Sequence, residues 1–176
     1  MRHLTWFLVL GVLAGCGGDD TPEDPYAEWF SSPTRVVEAI MHVYETRDDT
    51  LYAQLFAEDF LYYFEPQGAD SFDILSWGKG EEVTATGNLL NTEDVEEVTY
   101  TLQIGEALAA SGSGREGWMM VPVDGGKMVV SVRDKETMTV IFNRQEFFLR
   151  PRNHPDRKWE IVEWHDYPEP GEIGGE

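Results

Sequence analysis

The order of two hydrophobic periodicities along the chain limits its fold more than any other feature. Apolar residues recur at helical spacing from residue 33 to 47, from 49 to 58 and again after Gly80. From Val95 onward they alternate with polar residues, as in half-buried strands. Helices followed by antiparallel strands predict one α+β domain, with the helices on one face of a curved, mainly antiparallel sheet. After the first of these strands, the further β runs are 118–123, 127–133, 137–150 and 158–166.

Local signals mark where these elements begin and end. Ser32 is a good N-cap before Pro33 at the first helical position, and Asp48 or Asp49 caps the second helix. In the third helix, Glu81 and Glu82 occupy the first turn, which favours acidic residues. An aromatic run at 60–65 that stops before a proline predicts a strand covered on both faces. Turns are predicted at two places, Asp124-Gly125-Gly126 and residues 152–156.

Residues 1–15 have the order of an export signal: one arginine, an apolar run of about ten residues, then small residues. The run is too short to span a bilayer as a helix, which takes about 20 residues. The end of this segment, Leu13-Ala14-Gly15-Cys16, resembles the bacterial lipoprotein signal box. The resemblance implies removal of residues 1–15 and attachment of acyl chains such as palmitate at Cys16, which would anchor the chain to a membrane. In some bacteria an aspartate directly after the lipidated cysteine resembles an inner-membrane retention signal. This chain has Gly17 at that position, which favours the outer membrane.

Composition separates the folded part from its ends. Residues 16–31 are rich in Gly, Asp, Glu and Pro, which predicts a flexible acidic tether after the lipidated cysteine. The composition of residues 168–176, rich in Pro, Gly and Glu, predicts a flexible tail. The predicted domain is therefore 32–167. The net charge of −20 would repel a phosphate backbone, so we expect no nucleic-acid partner. Cys16 is the single cysteine, so the chain can form no internal disulfide.

The run from Val36 to Pro66 resembles the opening of the nuclear transport factor 2-like superfamily, which includes SnoaL-like cyclases and ketosteroid isomerases. It combines a long helix, a turn near Asp48 and an aromatic strand ending at Glu65. Two later runs, Phe147-Phe148-Leu149-Arg150 and Trp159-Glu160-Ile161-Val162-Glu163-Trp164, are similar to the closing strands of that superfamily. The resemblance implies a cone-shaped fold whose open end serves some members for catalysis and others for binding.

The same resemblance gives Glu65 a candidate catalytic role. In ketosteroid isomerases a carboxylate at the end of the first strand removes a proton next to a carbonyl, while a tyrosine and a protonated acid stabilise the oxyanion. Glu65 falls near the position of that base, but the position of the tyrosine corresponds to Ile40. A base without oxyanion donors lacks a large electrostatic contribution. The alternative is a solvent-facing carboxylate at a strand end.

Other chemistries find little support in the sequence. The histidines His42, His154 and His165 show no metal-ligand spacing, and no cysteine remains to bind zinc, so we expect neither a metal nor another cofactor. His165 and Asp166 are neighbours on a strand and should point to opposite faces, which favours a surface histidine over a catalytic pair. No nucleophile elbow or phosphate loop occurs.

The aromatic residues suggest either a filled core or an apolar pocket. The leading hypothesis is a lipid-anchored, non-catalytic domain in the cell envelope that binds a small apolar ligand or another envelope protein. The alternatives are an isomerase-like enzyme with Glu65 as general base and a structural interaction protein without a pocket. The oligomeric state stays open, a dimer included. The residues expected to line a pocket are Tyr44, Tyr62, Phe64, Tyr100 and Trp164.

Overall fold

A computed structural model describes residues 24–64 and 75–167. The predicted signal 1–15, Cys16, Glu65 and the tail 168–176 lie outside these residues. A 3-10 helix at Ala27–Phe30 comes first. The remaining elements, in chain order, are α1 Pro33–Thr46, α2 Asp49–Leu55, β1 Phe56–Phe64, β2 Leu75–Gly78, α3 Lys79–Asn91, β3 Val95–Ile104, β4 Leu108–Ala109, β5 Met119–Val132, β6 Met138–Phe142, β7 Arg144–Pro151 and β8 Trp159–Tyr167.

The N-terminal caps form as the sequence predicts. The Ser32 side chain accepts a hydrogen bond from the backbone N–H of Arg35, and Pro33 occupies the first turn of α1. The Asp48 side chain accepts from the backbone N–H of Leu51 at 2.8 Å and so caps α2. Each cap satisfies a backbone donor that the helix itself leaves free.

Among the boundaries that differ from the prediction, two lie in the N-terminal part of the domain. Helix α2 ends at Leu55 instead of near Glu58, because Phe56 is extended and pairs in β1 with Ile161 of β8. The folded part also begins before residue 32, since Phe30 is fully buried and Asp24 forms an ion pair with Arg157 at 2.5 Å. Residues 24–31 are therefore part of the folded structure, and a tether before them stays a prediction.

The sheet is mixed and mainly antiparallel. Its strand order is β2-β1-β8-β7-β5-β3, with β4 and β6 also paired to β5. Strands β1 and β8 run parallel, and the other pairs are antiparallel. The central position of β8 brings the last described strand beside the first one. This pairing makes β8 an inner strand of the sheet.

The predicted turn at Asp124-Gly125-Gly126 is wrong, because β5 continues through these residues. Gly125 has φ +115°, a conformation that favours glycine, and the register with β3 shifts between Leu102 and Ile104. The glycines therefore form a bulge that lets one long strand pair with β3, β6 and β7. A Cβ atom on Gly126 would lie 2.8 Å from the backbone oxygen of Thr101.

The hydrophobic core lies between the helices and the sheet. Helix α1 contributes Val36, Ile40 and Val43, which are fully buried against sheet residues such as Val121 and Phe147. Burying these faces gives the helices and strands their main stabilisation. The result is the predicted α+β, cone-shaped fold. Within the described ranges, no helix is both long and apolar enough to cross a membrane.

Candidate functional site

Polar side chains are buried inside the cone beside the apolar core. Four of them, Glu82, Thr86, Gln145 and Asp166, are at most 9% exposed. Buried polar groups are costly unless they are hydrogen-bonded, so their partners define the chemistry of the interior. Together with the neighbouring tyrosines they form what we call the interior polar cluster: Tyr44, Tyr52, Tyr62, Glu82, Thr86, Tyr100, Gln145 and Asp166.

Glu82 organises one half of this cluster. It lies in the first turn of α3, but its carboxylate points inward instead of remaining in solvent. Tyr52 Oη donates to Glu82 Oε1 at 2.5 Å, and Trp77 Nε1 donates to Oε2 at 2.8 Å. The Thr86 hydroxyl lies 3.5 Å from Oε1. Both carboxylate oxygens are therefore engaged by groups of the protein.

Asp166 organises the other half. Tyr62 Oη donates to Asp166 Oδ2 at 2.9 Å, and Gln145 Nε2 lies 3.5 Å from Oδ1. The Tyr62 ring stacks on Trp77, with centroids 4.2 Å apart and planes 3° from parallel. Since Trp77 also donates to Glu82, this stack joins the two halves.

Two tyrosines of the cluster, Tyr52 and Tyr62, donate hydrogen bonds to its carboxylates. Burial raises the pKa of Tyr62, and the nearby Asp166 carboxylate raises it further. Burial likewise raises the pKa of Tyr44, Tyr52 and Tyr100. A buried phenol resists ionisation because the phenolate would lose its hydration. These hydroxyls therefore stay protonated at physiological pH and cannot act as bases there.

Two buried polar atoms have no hydrogen-bond partner among the described residues: Gln145 Oε1 and Trp164 Nε1. Gln145 is 1% exposed and Trp164 5%. In the pairing of β7 with β8, Gln145 lies opposite Asp166, and Phe147 lies opposite Trp164. The side chains of Gln145 and Trp164 are therefore diagonal neighbours on the same face of the sheet. An unpaired buried donor or acceptor costs about 1–3 kcal/mol. These two atoms are therefore the unsatisfied buried side-chain polar groups of the described interior.

Several of the predicted pocket residues meet in this interior. Tyr44 packs on Tyr100, with centroids 4.8 Å apart, and Tyr62 packs on Trp164 at 5.3 Å. Phe64, two residues after Tyr62 on β1, is half-buried against the core. Whether these five residues line a ligand site stays a prediction, as does the role of Glu65.

Sequence reasoning missed the polar members of the cluster. Asp166 follows Trp164 by two residues on β8, so strand alternation could have placed it on the interior face. Gln145 alternates in the same way with Phe147 on β7. For Glu82 no such signal exists, because an acidic residue in the first turn of a helix is normally solvated.

The histidine neighbouring Asp166 contacts a different set of residues. His165 Nε2 lies 2.9 Å from Glu163, and its ring packs 4.6 Å from Tyr63, whereas Asp166 contacts Tyr62 and Gln145. Only 12% of the His165 side chain is exposed, so the expected surface histidine is in fact largely covered. No metal-binding group of three or more His, Cys, Asp or Glu occurs in 24–64 and 75–167.

Burial opposes ionisation of Glu163, but hydrogen bonds from His165 and Arg115 outweigh it and hold the pKa of Glu163 below its usual range. The carboxylate therefore stays ionised and paired near neutral pH. This arrangement stabilises the face of β8 opposite the interior polar cluster. It leaves His165 occupied by a structural contact.

Solved structures share this architecture at low sequence identity. A nuclear transport factor 2-like superfamily protein from Salmonella enterica has a TM-score of 0.53 at 15% identity, over 81% of this chain and 94% of that one. A nuclear transport factor 2-like protein of unknown function in nutrient uptake from Rhodospirillum rubrum has a TM-score of 0.50 at 18% identity, over 76% and 95%. A chain of naphthalene 1,2-dioxygenase, solved with indole in its active site, has a TM-score of 0.57 at 10% identity, over 85% and 83%.

These likenesses establish the fold and leave the activity open. The sequence matches no family model and no curated protein. The chain has a nuclear transport factor 2-like fold, which confirms what the resemblance of residues 36–66 implied. Because one fold hosts many activities, function has to be argued from the interior polar cluster.

Proposed function

We propose that this protein is an exported lipoprotein whose domain binds a small, largely apolar ligand inside the cone without transforming it. The observation that carries the proposal is the unpaired pair of buried polar atoms, Gln145 Oε1 and Trp164 Nε1, set among aromatic rings. Pockets for small ligands combine an apolar lining with a few placed polar groups. A bound molecule would relieve the cost of leaving these two atoms unpaired.

The hydrogen bonds of the cluster favour binding over catalysis. A general base must be free to accept a proton from its substrate. Glu82 accepts from Tyr52 and Trp77, and Asp166 accepts from Tyr62, so both carboxylates already hold donors of the protein. The interior thus contains an ordered polar framework that can orient a ligand.

Ligand binding is tested on the purified full chain. We expect native mass spectrometry to show a small molecule that copurifies with the folded protein and leaves on unfolding. After removal, the molecule should bind again and raise the melting temperature, since a ligand that binds only the folded state stabilises it. A chain that neither retains nor rebinds any molecule would contradict the proposal. Conversion of the bound molecule, abolished by Glu65→Gln, would instead establish the enzyme alternative.

The anchor is tested at Cys16. Replacing it with serine should abolish labelling by radioactive palmitate and leave residues 1–15 uncleaved, because the thiol is the proposed site of acylation. The matched variant Gly17→Asp keeps the thiol, so it should label normally and move from the outer to the inner membrane fraction. Acyl labelling of Cys16→Ser equal to that of the unaltered chain would refute lipidation at this residue.

A further inference from the structure

The neighbouring Asp166 carboxylate favours one orientation of the Gln145 amide. Its Nε2 faces Asp166 Oδ1 at 3.5 Å, and the carboxylate can only accept hydrogen bonds when ionised. The opposite orientation would place two oxygens against each other. Oε1 therefore points away from Asp166 and offers an acceptor, while Trp164 Nε1 on the same face offers a donor.

The apolar surroundings of this pair limit what else a ligand can carry. Trp164 packs between Tyr62 at 5.3 Å and Phe147 at 4.7 Å, and Phe147 is fully buried. A carboxylate would bring a second negative charge toward Asp166 and could not donate to Gln145. An ammonium group could not accept from Trp164. A hydroxyl both donates and accepts at one oxygen, and it is neutral.

We propose that the ligand is a neutral alcohol or phenol whose hydroxyl donates to Gln145 Oε1 and accepts from Trp164 Nε1, with its apolar body against the rings of Tyr62 and Phe147. This inference rests on the proposed binding function and adds the chemical class of the ligand. It also assigns Gln145 and Trp164 as the residues that recognise the polar end.

Pairs of probes that differ only by hydroxyl against methyl test this class directly. The pairs are phenol with toluene and 1-naphthol with 1-methylnaphthalene, measured by titration calorimetry on the full chain in one detergent. We expect the hydroxyl member to bind at least about tenfold more tightly, because the methyl member leaves both buried atoms unpaired.

The variant Trp164→Phe removes the indole N–H and keeps an aromatic ring. It should reduce the hydroxyl preference by about tenfold, whereas Trp159→Phe at the other end of β8 should leave the preference unchanged. If Trp164→Phe does not fold, the indole N–H resonance of Trp164 in the unaltered chain provides the readout. That resonance should move downfield with the hydroxyl probe and much less with its methyl partner.

The outcomes separate the two proposals. Equal binding of hydroxyl and methyl probes, with no selective shift of the Trp164 resonance, overturns the alcohol inference and leaves ligand binding in place. Failure of every probe and of every copurified molecule to bind overturns the proposed function itself. If the hydroxyl probes bind more tightly but Trp164→Phe leaves this preference unchanged, the inference is also overturned, since the hydroxyl is then recognised elsewhere.

Discussion

Replacing Glu82 with alanine should lower the free energy of unfolding by about 1–3 kcal/mol, the cost of leaving a buried hydrogen-bond donor without its partner. The substitution removes the acceptor of Tyr52 and of Trp77. The Tyr52 hydroxyl is especially affected, because that residue is 1% exposed and water cannot easily replace the lost partner. Chemical denaturation at pH 7, followed by circular dichroism, measures the change.

Two further variants on α3 make the result specific. Glu82→Gln keeps one oxygen for Tyr52 but turns an N–H toward one of the donors. It should therefore lower the free energy of unfolding by less than Glu82→Ala does. Asn88→Ala, at an exposed position of the same helix, should change the unfolding free energy by less than about 0.5 kcal/mol. A loss below about 1 kcal/mol for Glu82→Ala would mean that the carboxylate is solvated in the folded protein.

Gly126→Ala should destabilise the protein by about 2–3 kcal/mol, the scale of overpacking in a tight interior. The added Cβ would stand 2.8 Å from the backbone oxygen of Thr101 and 2.8 Å from Leu102 Cδ2. The oxygen belongs to the paired strand β3 and cannot rotate away as a side chain can. The strands must therefore separate locally, which weakens the β3–β5 pairing at the bulge.

Gly87→Ala is the matched control for Gly126→Ala. Gly87 lies within α3, and a Cβ atom there would meet no atom within 4 Å apart from its chain neighbours and the adjoining helix backbone. Alanine at this position should stabilise the protein by about 0.5–1 kcal/mol, because it restricts the unfolded chain and favours the helix. The opposite signs of the two substitutions are measurable in one series of denaturation curves. Unchanged or increased stability of Gly126→Ala would argue against the bulge geometry.

Much of the fold follows from local sequence patterns. The caps at Ser32 and Asp48 and the alternation from Val95 onward specify their elements through contacts within a few residues. The bulge at Gly125 and Gly126 shows where such reasoning fails. Adjacent glycines permit either a tight turn or a bulge, and only the pairing of β5 with β3 across Leu102 selects the bulge.

Some residues of the candidate site could be predicted from the sequence, whereas their hydrogen-bond partners could not. The sequence names Tyr62, Tyr100 and Trp164 among the residues expected to face the interior pocket, and all three are buried. The partners of the buried polar groups depend on distances in space between residues far apart in the chain. Tyr52 is 30 positions from Glu82, and Tyr62 is 104 positions from Asp166. No local pattern encodes such pairs.

The sequence by itself determined the order of helices and strands, the caps that begin α1 and α2, and the α+β class, because each depends on short-range periodicity and backbone hydrogen bonding. The tertiary structure alone decided that Glu82 turns inward, that Asp166 meets Tyr62, and that Gln145 and Trp164 keep one unpaired atom each. Whether a buried polar group finds a partner depends on how whole elements pack together.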